Sequence, residues 1–329
     1  MGSLTARGSR LRQWGARHVR LWVVVAALLA LAYPLVVRRF YITLAEDVLI
    51  YAIFALSLDL LLGYTGLTSF GHAAFFGLGA YTLAFAATRL GLANLLVTAP
   101  LVLLCTGLAA AAIGALVLRT SGLYFLMVTL AVAQMLFSVA LNWTAVTGGS
   151  DGLPGVPRPF IGLGALTYTF SSRAAFFYLL LAAFVSVWGL LRLITRSPFG
   201  LALRGIRDNE PRMRALGYNT FRYKLAAFVI AGMLAGLAGL LLAHSAGAAS
   251  PETLYWTTSG QALIMLIVGG SGTLPGPVLG ALTVRLLRNF ISSATDRWET
   301  LMGVVFILFV LFARRGLAGL LLGQQEPPE

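Results

Sequence analysis

The chain has 329 residues, 59% of them hydrophobic and 11% charged, a balance far from that of soluble domains. Its net charge of +13 is scattered between apolar runs, which speaks against a nucleic-acid partner and for membrane orientation by the positive-inside rule. A single cysteine, Cys105, leaves no disulfide framework or cysteine metal site, and the only lysine, Lys224, stands between Tyr223 and Leu225, so there is no Walker A loop for ATP.

Met1–Arg20 carries five arginines (Arg7, Arg10, Arg12, Arg17, Arg20) and no acid, and reads as a cytoplasmic tail. Leu21–Val37 is the first predicted span, about 25 Å of helix. The rival reading is a cleaved signal peptide ending at Ala30-Leu31-Ala32; the later spans insert without needing one. Leu44–Leu62 and Ser69–Thr88 follow, separated by the turn Gly63-Tyr64-Thr65-Gly66, and then Leu92–Leu118 and Leu123–Trp143. Thr144–Arg173, rich in glycine and proline, is an external loop that no single helix can accommodate. The sixth span is Ala174–Thr195 and the seventh Leu225–His244, whose Gly232, Gly236 and Gly239 form a small-residue face for close packing.

Between those two lies Arg196–Lys224, with seven cations and two acids. A central Arg in lipid costs about 2.5–3.5 kcal/mol, so this stretch faces water, on the cytoplasmic side. Ser197 before Pro198 opens a helix, and Asp208 or Asn209 before Pro211 opens a second, stopped about six residues later by Gly217. Beyond the external stretch Ser245–Ser259, Gln261–Gly269 and Val278–Leu287 are two short crossings joined by GGSGTLPGP, and Thr300–Phe312 is a tenth span with Arg314 and Arg315 inside. This all-α arrangement of about ten spans leaves Arg285, Arg288 and Arg297 outside; a broken or re-entrant helix between Gly260 and Phe290 is the alternative. Glycine-flanked interruptions fall once in each half, at Gly63–Gly79 and Gly269–Gly280, the pattern by which internal repeats mark a transport path.

Single residues carry competing readings. Asp59 is either a proton relay or one half of a structural ion pair with Arg119, the reading favoured because a lone acid makes a poor relay. His72 and His244 lack neighbours at metal-ligand spacing; each packs with a hydrogen bond, or His72 lines the path. Gln134 makes a helix–helix hydrogen bond or touches cargo. Asp151 is a solvated turn residue or meets a partner outside. Tyr64, His72, Gln134, Gly269 and Gly270 are the candidate path residues. Arg207, Asp208, Asn209, Glu210, Pro211, Arg212, Met213, Arg214, Ala215, Leu216 and Gly217 form the candidate coupling element, with Met213 and Leu216 as an apolar anchor framed by Arg212 and Arg214. Its bland rival is a segment resting on anionic lipid, but the apolar face is too small and the helix too short without a protein groove.

SLDLLLGYTGLTSFGHAAFFGLGAYT, GLALRGIRDNEPRMRALGYNTFRYKLAAFVIAGMLAGLAGLL and GGSGTLPGPVLGA resemble the inner-membrane permeases of branched-chain amino-acid ABC transporters, the LivM-type half. The likeness runs from about Asp47 to Gly319. It implies a type II importer-like fold with broken, glycine-rich helices. Residues 21–313 would then be one transmembrane permease domain, with a coupling loop at 196–224, an external loop at 144–173, and cytoplasmic tails at 1–20 and 314–329. It also implies a bacterial inner-membrane location with both termini cytoplasmic. The implied partners are a second homologous permease, two cytoplasmic ATPases that bind the ATP, and a periplasmic binding protein. The chain itself would be no enzyme and hold no cofactor. Branched-chain or other apolar amino acids lead as cargo. Urea or short amides, carried by relatives that share Leu58-Asp59-Leu60 and Gly71-His72, and an ion-coupled secondary transporter are the alternatives.

Overall fold

The computed structural model describes residues 33–34, 37–163, 166–295, 297–312 and 316–322. The basic N-terminal tail, nearly all of the first predicted span, and Arg314 and Arg315 lie outside the described residues. The fold is all-α and polytopic. Its helices are α1 (Arg39–Thr65), α2 (His72–Arg89), α3 (Leu95–Val117), α4 (Gly122–Asn142), the single turn α5 (Thr144–Thr147), α6 (Arg173–Arg196), α7 (Pro198–Ala215), α8 (Thr220–Ala246), α9 (Trp256–Gly269), α10 (Pro275–Ala294), α11 (Trp298–Phe312) and α12 (Gly316–Leu322). Among the described residues, α1, α3, α4, α6 and α8 are long and apolar enough to cross a membrane by themselves, and α9 is a shorter apolar helix.

Helix boundaries follow from capping chemistry. Asn94 accepts from the Leu96 N–H at the start of α3, and Ser172 accepts from the Ala175 N–H at the start of α6. Gly66 and Gly247 take left-handed φ values of +76° and +73° and stop α1 and α8 where a side chain would resist.

The centre is built by α1, α2 and α8, whereas α3, α4 and α6 bury only part of their surface and wrap it. The predicted small-residue face of α8 is what lets these backbones meet. A Cβ on Gly239 would lie 1.8 Å from the Phe76 carbonyl oxygen of α2, and one on Gly79 would lie 2.1 Å from the Gly236 carbonyl oxygen. Gly232 faces Ala110 of α3. Without exclusion of water as a driving force between helices in lipid, this close packing and its dispersion energy hold the helices together.

At one end the connections fold into a small platform. β1 (Leu153–Pro154) pairs antiparallel with β4 (Ala248–Ala249), and β2 (Phe160–Leu163) with β3 (Leu166–Thr169). His244 adds a 3.0 Å contact between Nδ1 and the Pro157 carbonyl, so both loops predicted to be external are tied to each other. At the opposite end α9 and α10 form an antiparallel hairpin, with Gly269 against Gly276 and Gly280 against Met265. α9 descends from the platform and α10 climbs back. Arg285 on α10 is not a free outer charge: it pairs with Asp47 of α1 and sits 3.9 Å from the Tyr51 ring. A paired cation over an aromatic face is what makes a guanidinium tolerable there.

Gly239→Ala is expected to force the α2–α8 seam apart, costing about 1–3 kcal/mol as overpacking does. Gly189→Ala on α6, where an added Cβ meets nothing within 4 Å, is expected to leave stability unchanged or raise it. Thermal unfolding of the two purified variants in detergent checks the contrast, and equal midpoints would refute the tight seam.

Candidate functional site

The polar segment between α6 and α8 forms as its residue types dictate. The Ser197 hydroxyl accepts from the Gly200 N–H at the first helix start, with Pro198 in the first turn where no N–H is needed. The helix breaks at Asn209, whose backbone (φ −157°, ψ 90°) is non-helical, and its Oδ1 accepts from the Arg212 N–H at 2.9 Å. Asn209 therefore caps the second helix, the role left open between it and Asp208. That helix ends in a Schellman turn. The Tyr218 N–H bonds to the Met213 carbonyl and the Gly217 N–H to the Arg214 carbonyl, with Gly217 at φ +88°.

Two anchors fasten this kinked element to the bundle. At the kink, Arg207 Nη1 donates to the Gly63 carbonyl at 2.5 Å, and its Nη2 lies 3.1 Å from Asp208. Gly63 is within the last turn of α1, where carbonyls lack an intrahelical partner and the helix dipole favours a cation. Just beyond the kink, Glu210 bridges Lys224 Nζ at 2.5 Å and Arg214 Nη2 at 2.7 Å, and Arg214 Nε donates to the Thr220 hydroxyl. The second anchor thus holds the first turn of α8. Burial opposes ionisation of Glu210, but hydrogen bonds from Lys224, Arg214 and Thr220 outweigh it and hold its carboxyl below the ordinary carboxylate range.

The α9–α10 turn joins the first anchor. Asp59 Oδ1 accepts from the Gly272 N–H at 2.8 Å, and a Cβ on Gly272 would lie 3.1 Å from the Gly63 oxygen and 3.4 Å from Arg207 Nη1. The two glycine-flanked interruptions, far apart in sequence, therefore touch each other and the kink of α7 at one point. Tyr64 lies beneath Arg204, 5.0 Å from guanidinium to ring centre. A cavity of about 440 Å³ opens beside the junction, between Gly66, the α3–α4 turn at Thr120–Gly122, and Arg207–Pro211.

Several expectations need correction here. Asp59 and Arg119 do not pair. Asp59 is buried and faces inward onto Gly272, while Arg119 is exposed beyond the end of α3; a shared depth in the membrane did not mean a shared side of the helix. Met213 is not half of an exposed anchor. Its sulfur folds back over Gly205, where a Cβ would come within 2.7 Å, leaving Leu216, 67% exposed, as the apolar tip, with Tyr218 and Phe221 beside it.

The remaining path candidates are not brought together. His72 is fully buried, stacked on Phe54, with Nε2 2.8 Å from the Ser57 hydroxyl. Gln134 is exposed on α4, and Gly269 and Gly270 belong to the α9–α10 turn. Asp151 is exposed in a 3-10 turn at the platform. The anchors of Arg207 on Gly63, Asp59 on Gly272 and Glu210 on Lys224 were missed because each partner lies far along the chain or offers only backbone. The one visible signal was a lone lysine at the head of a span.

A profile of the family described as "Branched-chain amino acid transport system / permease component" matches residues 40–313. The chain is 30% identical to the high-affinity branched-chain amino acid transport system permease protein LivM of Escherichia coli (strain K12), over 91% of this chain and 74% of the relative. It has the same identity and coverage with the protein of that name from Salmonella typhimurium. The permease protein BraD of Pseudomonas aeruginosa is 23% identical, over 82% of this chain and 91% of the relative. No solved structure matches the chain.

Glu210→Gln is expected to lower the unfolding midpoint at neutral pH by loosening α7 from α8. Because the folded-state pKa is depressed, the stabilisation is complete above about pH 4.3, the unfolded value, and is lost as pH falls through the folded one. Midpoints of wild type and variant should therefore converge in acid, and a constant gap would show that charge is not the cause.

Proposed function

The chain belongs to the family of branched-chain amino acid transport permease components, and from that premise we propose that it is one permease of an ABC importer, carrying branched-chain or other apolar amino acids inward under the drive of ATPases in trans. Its operating partners are a second, related permease, two cytoplasmic ATPases and a periplasmic binding protein, in a bacterial inner membrane with both termini inside. The observation that supports this reading best is the kinked helix α7, which ends at an exposed leucine, Leu216, close to Arg212 and Arg214, while Arg207 and Glu210 on either side of its kink are fastened to the bundle. An element only resting on lipid needs no such fastening.

The mechanism follows from the anchors. ATPases closing on ATP push the Leu216 tip. Arg207 passes the displacement to the end of α1 and, through Gly63 and Gly272, to the α9–α10 hairpin. Glu210 passes it to α8. Helices gripped at their cytoplasmic ends then rock against the second permease, and a path between the two subunits opens inward. Binding protein delivers cargo at the opposite platform, where Asp151 and Pro154 face solvent.

Leu216→Asp puts a charge where an ATPase groove must bury an apolar side chain, losing about 1.5–3 kcal/mol of contact and adding the cost of a buried charge. The bundle does not use this side chain, so insertion and permease pairing are expected to survive while the ATPases dissociate during purification and uptake stops. Wild-type uptake should cease with orthovanadate and continue with a protonophore. A Leu216→Asp complex that retains its ATPases and transports normally would place the coupling contact elsewhere.

A further inference from the structure

Asp59 is buried in α1 with half of its carboxyl group unused. Oδ1 accepts from the Gly272 N–H at 2.8 Å, whereas Oδ2 is closed off from solvent and has no hydrogen-bond partner among the described residues. A polar atom left idle in a low-dielectric interior is costly, and its retention calls for a reason. The cation whose charge acts on this carboxyl is Arg207. Its Nη1 donates to the Gly63 carbonyl and lies 3.4 Å from where a Gly272 Cβ would stand, while a Cβ on Gly63 would collide with Asp59 Oδ1. Neither glycine puts a side chain between the two charges. The rest of the guanidinium is spent on a weak partner. Nε and Nη2 lie 3.2 and 3.1 Å from Asp208, the next residue, and the two side chains are 41% and 66% exposed. A water-screened pair of that kind is worth little and is readily given up. Beside it, the cavity between Gly66, the Thr120–Gly122 turn and Arg207–Pro211 leaves the kink room to shift.

We infer that Asp59 is the second partner of Arg207 in the transport cycle, and that Arg207 exchanges Asp208 for the idle oxygen of Asp59 when the ATPases load α7. The guanidinium pivots on the Gly63 carbonyl, which it keeps, and Nη2 swings from the exposed carboxylate to the buried one. The two arrangements are close in free energy for a physical reason. Attraction between the buried charges is stronger than at the rim, but both must shed water to meet. A modest difference in ATPase contact is then enough to choose between them. The exchange also changes what the kink pulls on. With Asp208 as partner, Arg207 grips only the end of α1; with Asp59 as partner, it grips the carboxyl that also holds the Gly272 turn. α1 and the α9–α10 hairpin would then follow α7 as one body. The inference rests on the ABC-importer reading above.

The test uses the whole complex in nanodiscs. Electron cryo-microscopy of the nucleotide-free complex, and of one locked with ATP on hydrolysis-deficient ATPases, reads the partner of Arg207 directly: Asp208 in the first, Asp59 in the second. Vanadate trapping of hydrolysing complexes supplies the functional arm. Asp59→Asn keeps an oxygen for the Gly272 N–H and loses the charge, and is expected to cut the trapped fraction by about tenfold. Arg207→Gln is expected to do the same, and the double variant to lose no more than either single one, whereas independent structural roles would multiply the losses. Asp208→Asn, a change at an exposed side chain, weakens the competing partner and is expected to raise trapping. Arg207 still on Asp208 in the ATP-locked complex, multiplied losses, or an Asp208→Asn complex that traps no more than wild type would each overturn the exchange and leave the importer reading standing. A wild-type chain that retains no ATPase would overturn that reading, and the exchange with it.

Discussion

The guanidinium of Arg207 on the Gly63 carbonyl is the contact around which the end of the bundle opposite the platform is assembled. A helix terminus leaves carbonyls unsatisfied and partly negative, and a long Arg side chain from another element satisfies one of them with charge as well as a proton. The same spot must also receive the α9–α10 turn, whose Gly272 N–H bonds to Asp59. Glycine at 63 and at 272 is required sterically. A Cβ on Gly63 would fall 2.3 Å from both Asp59 Oδ1 and the Gly272 nitrogen. Three chain segments therefore converge only because two side chains are missing and two charged ones replace them.

A second principle is visible higher up. Three acids are answered locally: Asp47 by Arg285, Glu210 by Lys224 and Arg214, Asp59 by a backbone N–H. A low-dielectric interior makes each such group expensive alone, so their positions report where helices have to stay in register. α1 carries Asp47 at one end and Asp59 at the other, and both acids engage the α9–α10 hairpin. That pins the hairpin to α1 at two depths.

Much of this was readable from residue order because it is local. The Ser197 cap, the kink before Pro211, the stop at Gly217 and the glycine stripe of α8 each depend on neighbours within a turn or two, and the structure has them where the sequence puts them. What stayed hidden depends on which face a residue presents to a distant segment. Asp59 was assigned to Arg119 by depth alone, yet its partner is a backbone amide beyond residue 270. Met213 and Leu216 share a spacing that suits one apolar face, but the break at Asn209 turns Met213 back onto Gly205. The Asp47–Arg285 pair and the β1–β4 strands were invisible for the same reason: two residues per strand, or one acid at a span's edge, leave no periodic trace.

Lys224 has one more consequence. It is the only lysine in the chain, so its ε-amine is the only side-chain amine, and it is shielded under Glu210. With α7 seated, amine-directed reagents and lysine-specific proteases have no accessible side-chain target anywhere in the described fold. Chemical reactivity at that one atom is therefore an intrinsic gauge of whether α7 is docked on α8 or released from it, readable without adding any label to the protein.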